Sequence, residues 1–321
     1  MTAMRITLGY LYPDLMSTYG DRGNVETIVC RCGWRGIATD VIELRLGDRI
    51  RADEIDLIVI GSGGEAQQAT VASDLAKTKG PGIREAVEQG AAALAVGTGF
   101  ELFGRFCQPG DGPELPGAGL FDAYTVRRRS ALGGHYETPT EARADRAVGE
   151  LLVRCGDALL AGFENHSGGT YLGPTAQPLG EVICGYGNCG DGREGVWLRN
   201  AVGTNLRGPC LPKNPLLADF LIRAALARRH AVADLLPLPD ELEQAAHQAA
   251  VRRARQPVRS VASRAASIVL DRSVRRAGSA TAPRRRTVGV RRGKGQPPDG
   301  HAASPANDGA SERGLRSGRG R

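Results

Sequence analysis

The chain has 321 residues, 41% hydrophobic, 24% charged and 5% aromatic, enough material for one large or two small buried cores. Its formal net charge of +7 is unevenly spread: residues 251–321 hold 18 Lys and Arg against 4 Asp and Glu, which leaves 24 against 31 in residues 1–250. An acidic body with a basic extension therefore excludes a uniformly basic nucleic-acid binder, and apolar runs such as 55–60 and 91–96 fall far short of the ~20 residues of a membrane-crossing helix.

The start of the chain shows no basic stretch followed by an apolar run and a cleavage site, so no secretory leader is expected. Seven cysteines without the spacing of a disulfide framework point to reduced thiols and a cytoplasmic location.

Residues 6–12 form an apolar run that stops at Pro13 and reads as a strand. Val25, Ile28, Val29 and Cys32 then share one helical face. Strands are predicted over 41–44 and over the largely β-branched 55–60, with a glycine cluster closing the second. A helix follows from about Ala66 to Lys77, and Pro81 and Gly82 open another that runs to Gln89. Residues 91–96 make a further strand, again stopped by glycine. Strands alternating with helices of this length imply βαβ units and a mainly parallel sheet covered on both faces.

Between Gln108 and Glu164 glycine and proline become frequent. Segments 124–126, 150–154 and 181–185 read as strands of a more antiparallel section. Residues 216–230 are a helix with Leu217, Phe220, Leu221, Ala224 and Ala225 along one stripe. Pro237 and Pro239 punctuate a linker, and 240–255 reads as a surface helix, so the organisation is a domain over 1–232, a linker and helix over 233–255 and a tail over 256–321. The tail is rich in Ala, Arg, Ser, Gly and Pro and reads as disordered. Its Arg clusters attract anionic lipid or nucleic acid without specificity, since no aromatic residue is interleaved for base stacking.

In an open α/β sheet ligands bind beyond the carboxyl ends of the strands. Two loops fall there: Gly61-Ser-Gly-Gly-Glu65, and Gly97-Thr-Gly-Phe-Glu-Leu-Phe-Gly104, which runs straight into a helix. Glycines at such turns aim backbone N–H groups outward and suit an oxyanion or phosphate. Either loop also reads as a tight turn with no ligand. The second begins a dinucleotide fingerprint, but Leu102 takes the third glycine position, so nucleotide binding is weakly supported.

Further segments are dense in glycine and polar residues: Leu11-Tyr-Pro-Asp-Leu-Met-Ser-Thr-Tyr-Gly-Asp-Arg-Gly-Asn24, Gly162-Phe-Glu-Asn-His-Ser-Gly-Gly-Thr-Tyr171, Gly185-Tyr-Gly-Asn188 and Gly203-Thr-Asn-Leu-Arg-Gly-Pro-Cys-Leu-Pro-Lys-Asn-Pro215. Together, from about Arg5 to His230, the chain resembles the GatD-type glutamine amidotransferase subunits of lipid II isoglutaminyl synthase, within the CobB/CobQ-like class I amidotransferases. The resemblance implies a three-layer, flavodoxin-like α/β fold with a mainly parallel sheet and an antiparallel extension. It implies glutamine hydrolysis that delivers ammonia to a Mur-ligase-like partner of the MurT type, which amidates the D-glutamate of lipid II in peptidoglycan biosynthesis. No cofactor or metal is implied.

That chemistry needs a cysteine thiolate on a strand-to-helix turn, a histidine to move the proton and backbone N–H donors for the oxyanion. The family's nucleophile pattern, V-C-x-G-[YF]-Q, corresponds here to Val96-Gly97-Thr98-Gly99-Phe100-Glu101, which puts Gly97 at the nucleophile position. The histidine pattern, G-T-Y-L-H-G-P, corresponds to Gly203-Thr204-Asn205-Leu206-Arg207-Gly208-Pro209, so Arg207 stands at the base position. A guanidinium stays protonated near neutral pH and cannot accept that proton. Thr98, Ser62, His166 and Cys210 are the remaining reactive side chains near these motifs, and none falls where the pattern places catalysis. Cys184 and Cys189 lack the second ligand pair of a zinc site.

The resemblance also puts Gly63 at an oxyanion N–H position and Arg146 at the substrate carboxylate, downstream of an insertion around 133–145; Arg146 reads equally as a surface arginine. Two expectations follow: a catalytically degenerate subunit of the isoglutaminyl synthase type, or a scaffold or small-anion-binding pseudoenzyme.

Overall fold

A strand made only of aliphatic residues must hide both faces, and Leu57–Ile60 does so near the middle of a six-stranded sheet. The computed structural model describes residues 4–110, 112–127, 146–231 and 234–256. In chain order these give β1 (Arg5–Leu11), α1 (Arg22–Gly33), β2 (Ala38–Leu44), β3 (Leu57–Ile60), α2 (Glu65–Asp74), α3 (Gly80–Glu88), β4 (Ala92–Val96) and α4 (Thr98–Phe103). Short strands β5 (Phe106–Gln108), β6 (Leu115–Pro116) and β7 (Ala123–Arg127) precede β8 (Ala147–Cys155), β9 (Ala158–His166), β10 (Gly168–Leu172) and β11 (Gly180–Cys184). The chain then forms β12 (Arg193–Glu194), β13 (Val196–Leu198), β14 (Ala201–Thr204), α5 (Pro215–His230) and α6 (Glu241–Ala254).

The large sheet has the order β13-β14-β4-β3-β1-β2. Its strands run parallel apart from β13, which is antiparallel to β14. From β2 to β14 this is the flavodoxin-like winding, with strand addition reversing between β1 and β3. Leu57 and Val59 pack with Val25 and Ile28 of α1 and Leu221 and Ile222 of α5. Ile58 and Ile60 pack with Val71 of α2 and Ile83 and Val87 of α3 on the opposite side. The result is three layers. Two smaller sheets, β10-β7-β5-β6 and β12-β11-β8-β9, form the more antiparallel section.

The junction between α2 and α3 differs from the predicted pair of separate helices. A π-helical turn, Leu75–Lys79, joins them, with the Gly80 N–H on the Leu75 carbonyl. Pro81 has no N–H, and its ring crowds the carbonyl four residues back, so a widened turn lets the helical path continue past it. Helix α6 lies where a surface helix was predicted and tucks Val251 and Ala254 against Leu152 and Ala161. Among the described residues no helix is long and apolar enough to cross a membrane. The tail and the insertion at 133–145 lie outside the described residues, Gln256 excepted.

One arginine ties three helical segments together. Arg31 of α1, with 2% of its side chain exposed, meets Asp219 of α5 through Nε and Nη2 at 2.7 and 2.8 Å. Its Nη1 and Nη2 also reach Asp240, which precedes α6, at 2.8 and 2.7 Å. Arg35 adds a 2.8 Å bond to Asp219. These hydrogen bonds from Arg31 hold the Asp240 carboxyl below the usual carboxylate range. Removing one partner of such a pair strands the other charges, at a typical cost of about 3–5 kcal/mol. Arg31→Ala is expected to lower unfolding stability by about that amount in urea titrations, against less than about 1 kcal/mol for the exposed pair partner Arg22→Ala.

Candidate functional site

The carboxyl ends of the parallel strands deliver four loops to one place. β1 leads into 12–21, β3 into 61–64, β4 into Gly97 and β14 into 205–207. They are bonded to one another as well as adjacent. The Gly97 N–H donates to the Thr204 carbonyl at 2.8 Å, and the Thr18 N–H to the Ser62 carbonyl at 2.8 Å. Ser62 N–H donates to Asp21 Oδ2 at 2.7 Å, and Ser62 Oγ to the Val96 carbonyl at 3.1 Å.

Gly97 occupies the sharp turn between β4 and α4, at φ 58° and ψ −119°. A side chain is strained in that conformation. Nor is there room for one: a Cβ at this position would lie 2.5 Å from Arg207 Cζ and 2.7 Å from Arg207 Nε. Ser62 Oγ crowds the same point. Thus the structure brings positions 97 and 207 into direct apposition, and the guanidinium of one fills the space above the backbone of the other.

Arg207 is held there by its main chain. Its N–H donates to the Phe163 carbonyl at 2.8 Å and its carbonyl accepts from the Phe163 N–H at 3.3 Å. The preceding turn is fixed by the buried Glu194, which accepts from Thr204 Oγ1 at 2.8 Å and from the Asn205 N–H at 2.6 Å. The Arg207 guanidinium lies over the Tyr19 ring, 5.1 Å from its centroid. Only 2% of the residue is exposed, and its Nε is buried without a hydrogen-bond partner among the described residues. Burial pulls its pKa down from the usual arginine value, while the charges of Glu101 and Asp21 act in the other direction.

A cavity of about 110 Å³ opens in front of this pair, lined by Tyr19, Gly63, Thr98, Glu101, Arg127, Arg146, Asn165, His166 and Arg207 among others. Gly63 lines it as the sequence suggests, but its N–H is already given to Thr98 Oγ1 at 2.7 Å. The Thr98 hydroxyl in turn donates to the Gly63 carbonyl at 3.0 Å. That reciprocal pair occupies both the expected oxyanion donor and the hydroxyl beside the turn. Arg146 donates from Nε to Asn165 Oδ1 at 2.6 Å, and Asn165 Nδ2 donates to the Tyr19 hydroxyl at 3.0 Å. A chain of polar contacts thereby connects Arg146 to the ring beneath Arg207.

The other candidates are committed elsewhere. His166 is buried, with Nδ1 2.9 Å from the Gly168 carbonyl and Nε2 3.5 Å from Glu164 Oε2. Burial opposes its charging, yet Glu164 and the Gly168 carbonyl raise its pKa above the ordinary value. Cys210 is buried, and desolvation pushes its thiol up to about 12, so it carries almost no thiolate near neutral pH. Cys184 offers its thiol to the Glu150 carbonyl at 3.9 Å.

Two charged residues without an assigned role complete the wall. Arg127, at the end of β7, donates from Nη2 to Glu101 Oε2 at 2.7 Å, and Gln68 Nε2 donates to the same oxygen at 2.8 Å. Burial works against charge on Glu101, but the guanidiniums of Arg127 and Arg207 more than offset it and hold the carboxyl below the usual range. Glu101 and Tyr19 were present in the quoted motifs; Arg127 lies outside all of them.

The sequence pattern of the CobB/CobQ-like glutamine amidotransferase domain matches residues 7–215. The chain is 32% identical over 257 residues to the lipid II isoglutaminyl synthase (glutamine-hydrolyzing) subunit GatD of Staphylococcus aureus (strain N315), covering 79% of this chain and 98% of that one. It is 28% identical over 241 residues to the subunit of the same name from Streptococcus pneumoniae (strain ATCC BAA-255 / R6), covering 74% and 87%. Among solved structures, that of PurLQS from Thermotoga maritima aligns at 12% identity with a TM-score of 0.43, over 71% of this chain and 99% of its own.

Asp21 offers a measurable signature of the buried loop cluster. Its Oδ1 has no hydrogen-bond partner among the described residues, and burial pushes its carboxyl up to about 6 despite the Ser62 N–H and the Arg207 charge. An unfolded aspartate ionises near 3.8, so the folded state keeps a proton that the unfolded state loses between these values. Stability is therefore lost as pH rises from about 4 to about 6, by about 3 kcal/mol at most, and stays lower above that window. In urea unfolding at pH 4 and pH 7.5, Asp21→Asn is expected to remove this loss; identical pH profiles for variant and parent would contradict the assignment.

Proposed function

Because the chain belongs to the CobB/CobQ-like glutamine amidotransferase family, we propose that it is a GatD-like subunit of a lipid II isoglutaminyl synthase whose own glutaminase step is silent. The observation carrying this reading is the apposition of Gly97 and Arg207. Hydrolysis of glutamine in this family's manner begins with attack of a thiolate on the carboxamide carbon. Proton transfer to the departing ammonia follows, and water then releases glutamate. Gly97 offers no atom for the attack. Arg207 cannot take up a proton, because a guanidinium remains charged in proteins. Loss of nucleophile and base together costs on the order of 10⁶ in turnover.

Among the described residues no neighbouring group replaces them. The Thr98 hydroxyl is held by Gly63, and the Ser62 hydroxyl donates to a carbonyl instead of facing a base. The retained three-layer fold, with its loops bonded at the strand ends, supports a role that depends on shape: holding a MurT-like Mur ligase subunit, which amidates the D-glutamate of lipid II with free ammonia. The seven free cysteines suit a reducing, cytoplasmic setting. Residues 1–232 form the amidotransferase domain in this reading, 233–255 a linker and helix, and the basic segment 256–321 is drawn to anionic lipid or nucleic acid without sequence preference.

The test is ammonia release from glutamine by the purified chain together with its ligase partner. No release above background is expected, while an ammonium salt sustains amidation of lipid II. The double variant Gly97→Cys with Arg207→His is expected to raise release at least ~10²-fold, a small part of the ~10⁶ lost. Glutamine hydrolysis by the unmodified pair at a rate matching an intact dyad would overturn the reading.

A further inference from the structure

The two edges of the large sheet differ. β13 is three residues long, and its outer side is engaged by the Trp197 N–H, which donates to the Gln177 carbonyl at 2.8 Å. β2, at the other edge, is seven residues long and has no neighbour beyond it among the described residues. Its inward groups are fixed by β1: the Ala38 N–H donates to the Met4 carbonyl at 2.9 Å, and the Leu44 carbonyl accepts from the Tyr12 N–H at 2.8 Å. Even-numbered residues therefore face β1 in this parallel pair. Thr39, Val41 and Glu43 turn their N–H and carbonyl groups outward, where none makes a hydrogen bond among the described residues.

Sheet edges are normally blunted by brevity, lysine, proline, a bulge or a cover, because a row of unpaired backbone groups recruits another strand. Among the described residues β2 has none of these. It holds no lysine or proline, and its register with β1 runs unbroken from Ala38 to Leu44. Val41 and Ile42, on opposite faces, are 41% and 39% exposed. Its two carboxylates do not guard the edge, because each is matched within the chain: Asp40 Oδ2 by Arg5 at 2.6 Å and Glu43 Oε2 by Arg45 at 2.8 Å.

We propose that β2 pairs antiparallel with β2 of a second copy of this chain, about a two-fold axis at Val41, so that the two large sheets join edge to edge. In this register Thr39 faces Glu43 of the second copy, Val41 faces Val41, and Asp40 faces Ile42. Every outward residue then meets an outward residue, each pair exchanging two N–H···O=C bonds, about six in all. No like charges stand directly opposite; the two Asp40 carboxylates meet only on a diagonal, each with its own Arg5. The neighbouring registers are worse. With the axis at Asp40 the two carboxylates face each other directly. With the axis at Ile42 the Arg45 N–H is needed, and it already donates to Asp48 Oδ2 at 2.8 Å. A segment that matches itself about an axis selects a second copy over an unrelated strand. The pairing is independent of the silent-glutaminase reading, since no residue of the loop cluster takes part.

The test is sedimentation equilibrium of the full chain from about 1 to about 100 μM, the range in which small interfaces associate. A reversible monomer–dimer equilibrium is expected. Val41→Lys sets two ammoniums directly opposite each other at the axis and is expected to weaken dimerisation at least tenfold, with the circular dichroism of the diluted monomer unchanged. Val41→Pro deletes an outward N–H that the single chain does not use and is expected to weaken dimerisation as well. A chain that stays monomeric up to about 100 μM, or dimerisation left as tight as the parent's by either folded variant, would overturn the proposal. So would a chain that does not self-associate yet loses its ligase partner in Val41→Lys, because the edge then belongs to a strand of that partner. If Val41→Pro fails to fold, Val41→Lys, at an exposed position, decides alone.

Discussion

A guanidinium and a side chain at position 97 compete for one volume, and the rest of the site is arranged around the winner. Arg207 Cζ stands 2.5 Å from where a Cβ on residue 97 would be. The far end of a free arginine moves aside at little cost, but this one is buried and stacked on Tyr19. Glycine at 97 serves two ends at once: it adopts the positive φ of the strand-to-helix turn, and it leaves the cation its place. Glycine at 97 and arginine at 207 are compatible with each other, whereas a side chain at 97 would clash with Arg207 where it stands.

The turn itself is inherited from the topology. Parallel strands β1, β3, β4 and β14 end side by side, so their loops must meet, and small residues let them meet at bonding distance. At Gly61 a Cβ would collide with the Met16 carbonyl oxygen and the Asp21 Cβ. Asp21, Ser62, Val96, Gly97 and Thr204 are then linked by a chain of backbone and side-chain hydrogen bonds across the turn. This frame does not depend on a thiol or an imidazole. The loops therefore keep this geometry with glycine at 97 and arginine at 207.

Much of this was legible in the sequence where the pattern was local. The aliphatic runs of β1, β3 and β4 mark buried parallel strands because both faces are covered, and the glycines after them mark their carboxyl ends. Positions 97 and 207 were recognisable within their motifs. β14 was not: Ala201-Val-Gly-Thr204 is four residues long, and its glycine is there because Phe100 packs on it at less than van der Waals distance from a would-be Cβ. β9 was hidden likewise, since its polar end, Glu164 to His166, serves Tyr186, Gly187 and Gly168 rather than an alternating pattern. The pairing of Glu101 with Arg127 joins residues with no local relation, and the engagement of the Gly63 N–H by Thr98 is a contact between loops that no single segment encodes.

The most direct measurement of the central claim is a double-mutant cycle on unfolding free energy with Gly97→Ala and Arg207→Ala. If the guanidinium occupies the space of the missing side chain, Gly97→Ala costs more in the unmodified chain than in the Arg207→Ala background, by about 1 kcal/mol or more. Additivity within about 0.5 kcal/mol would show that position 97 does not feel Arg207, and would contradict the account.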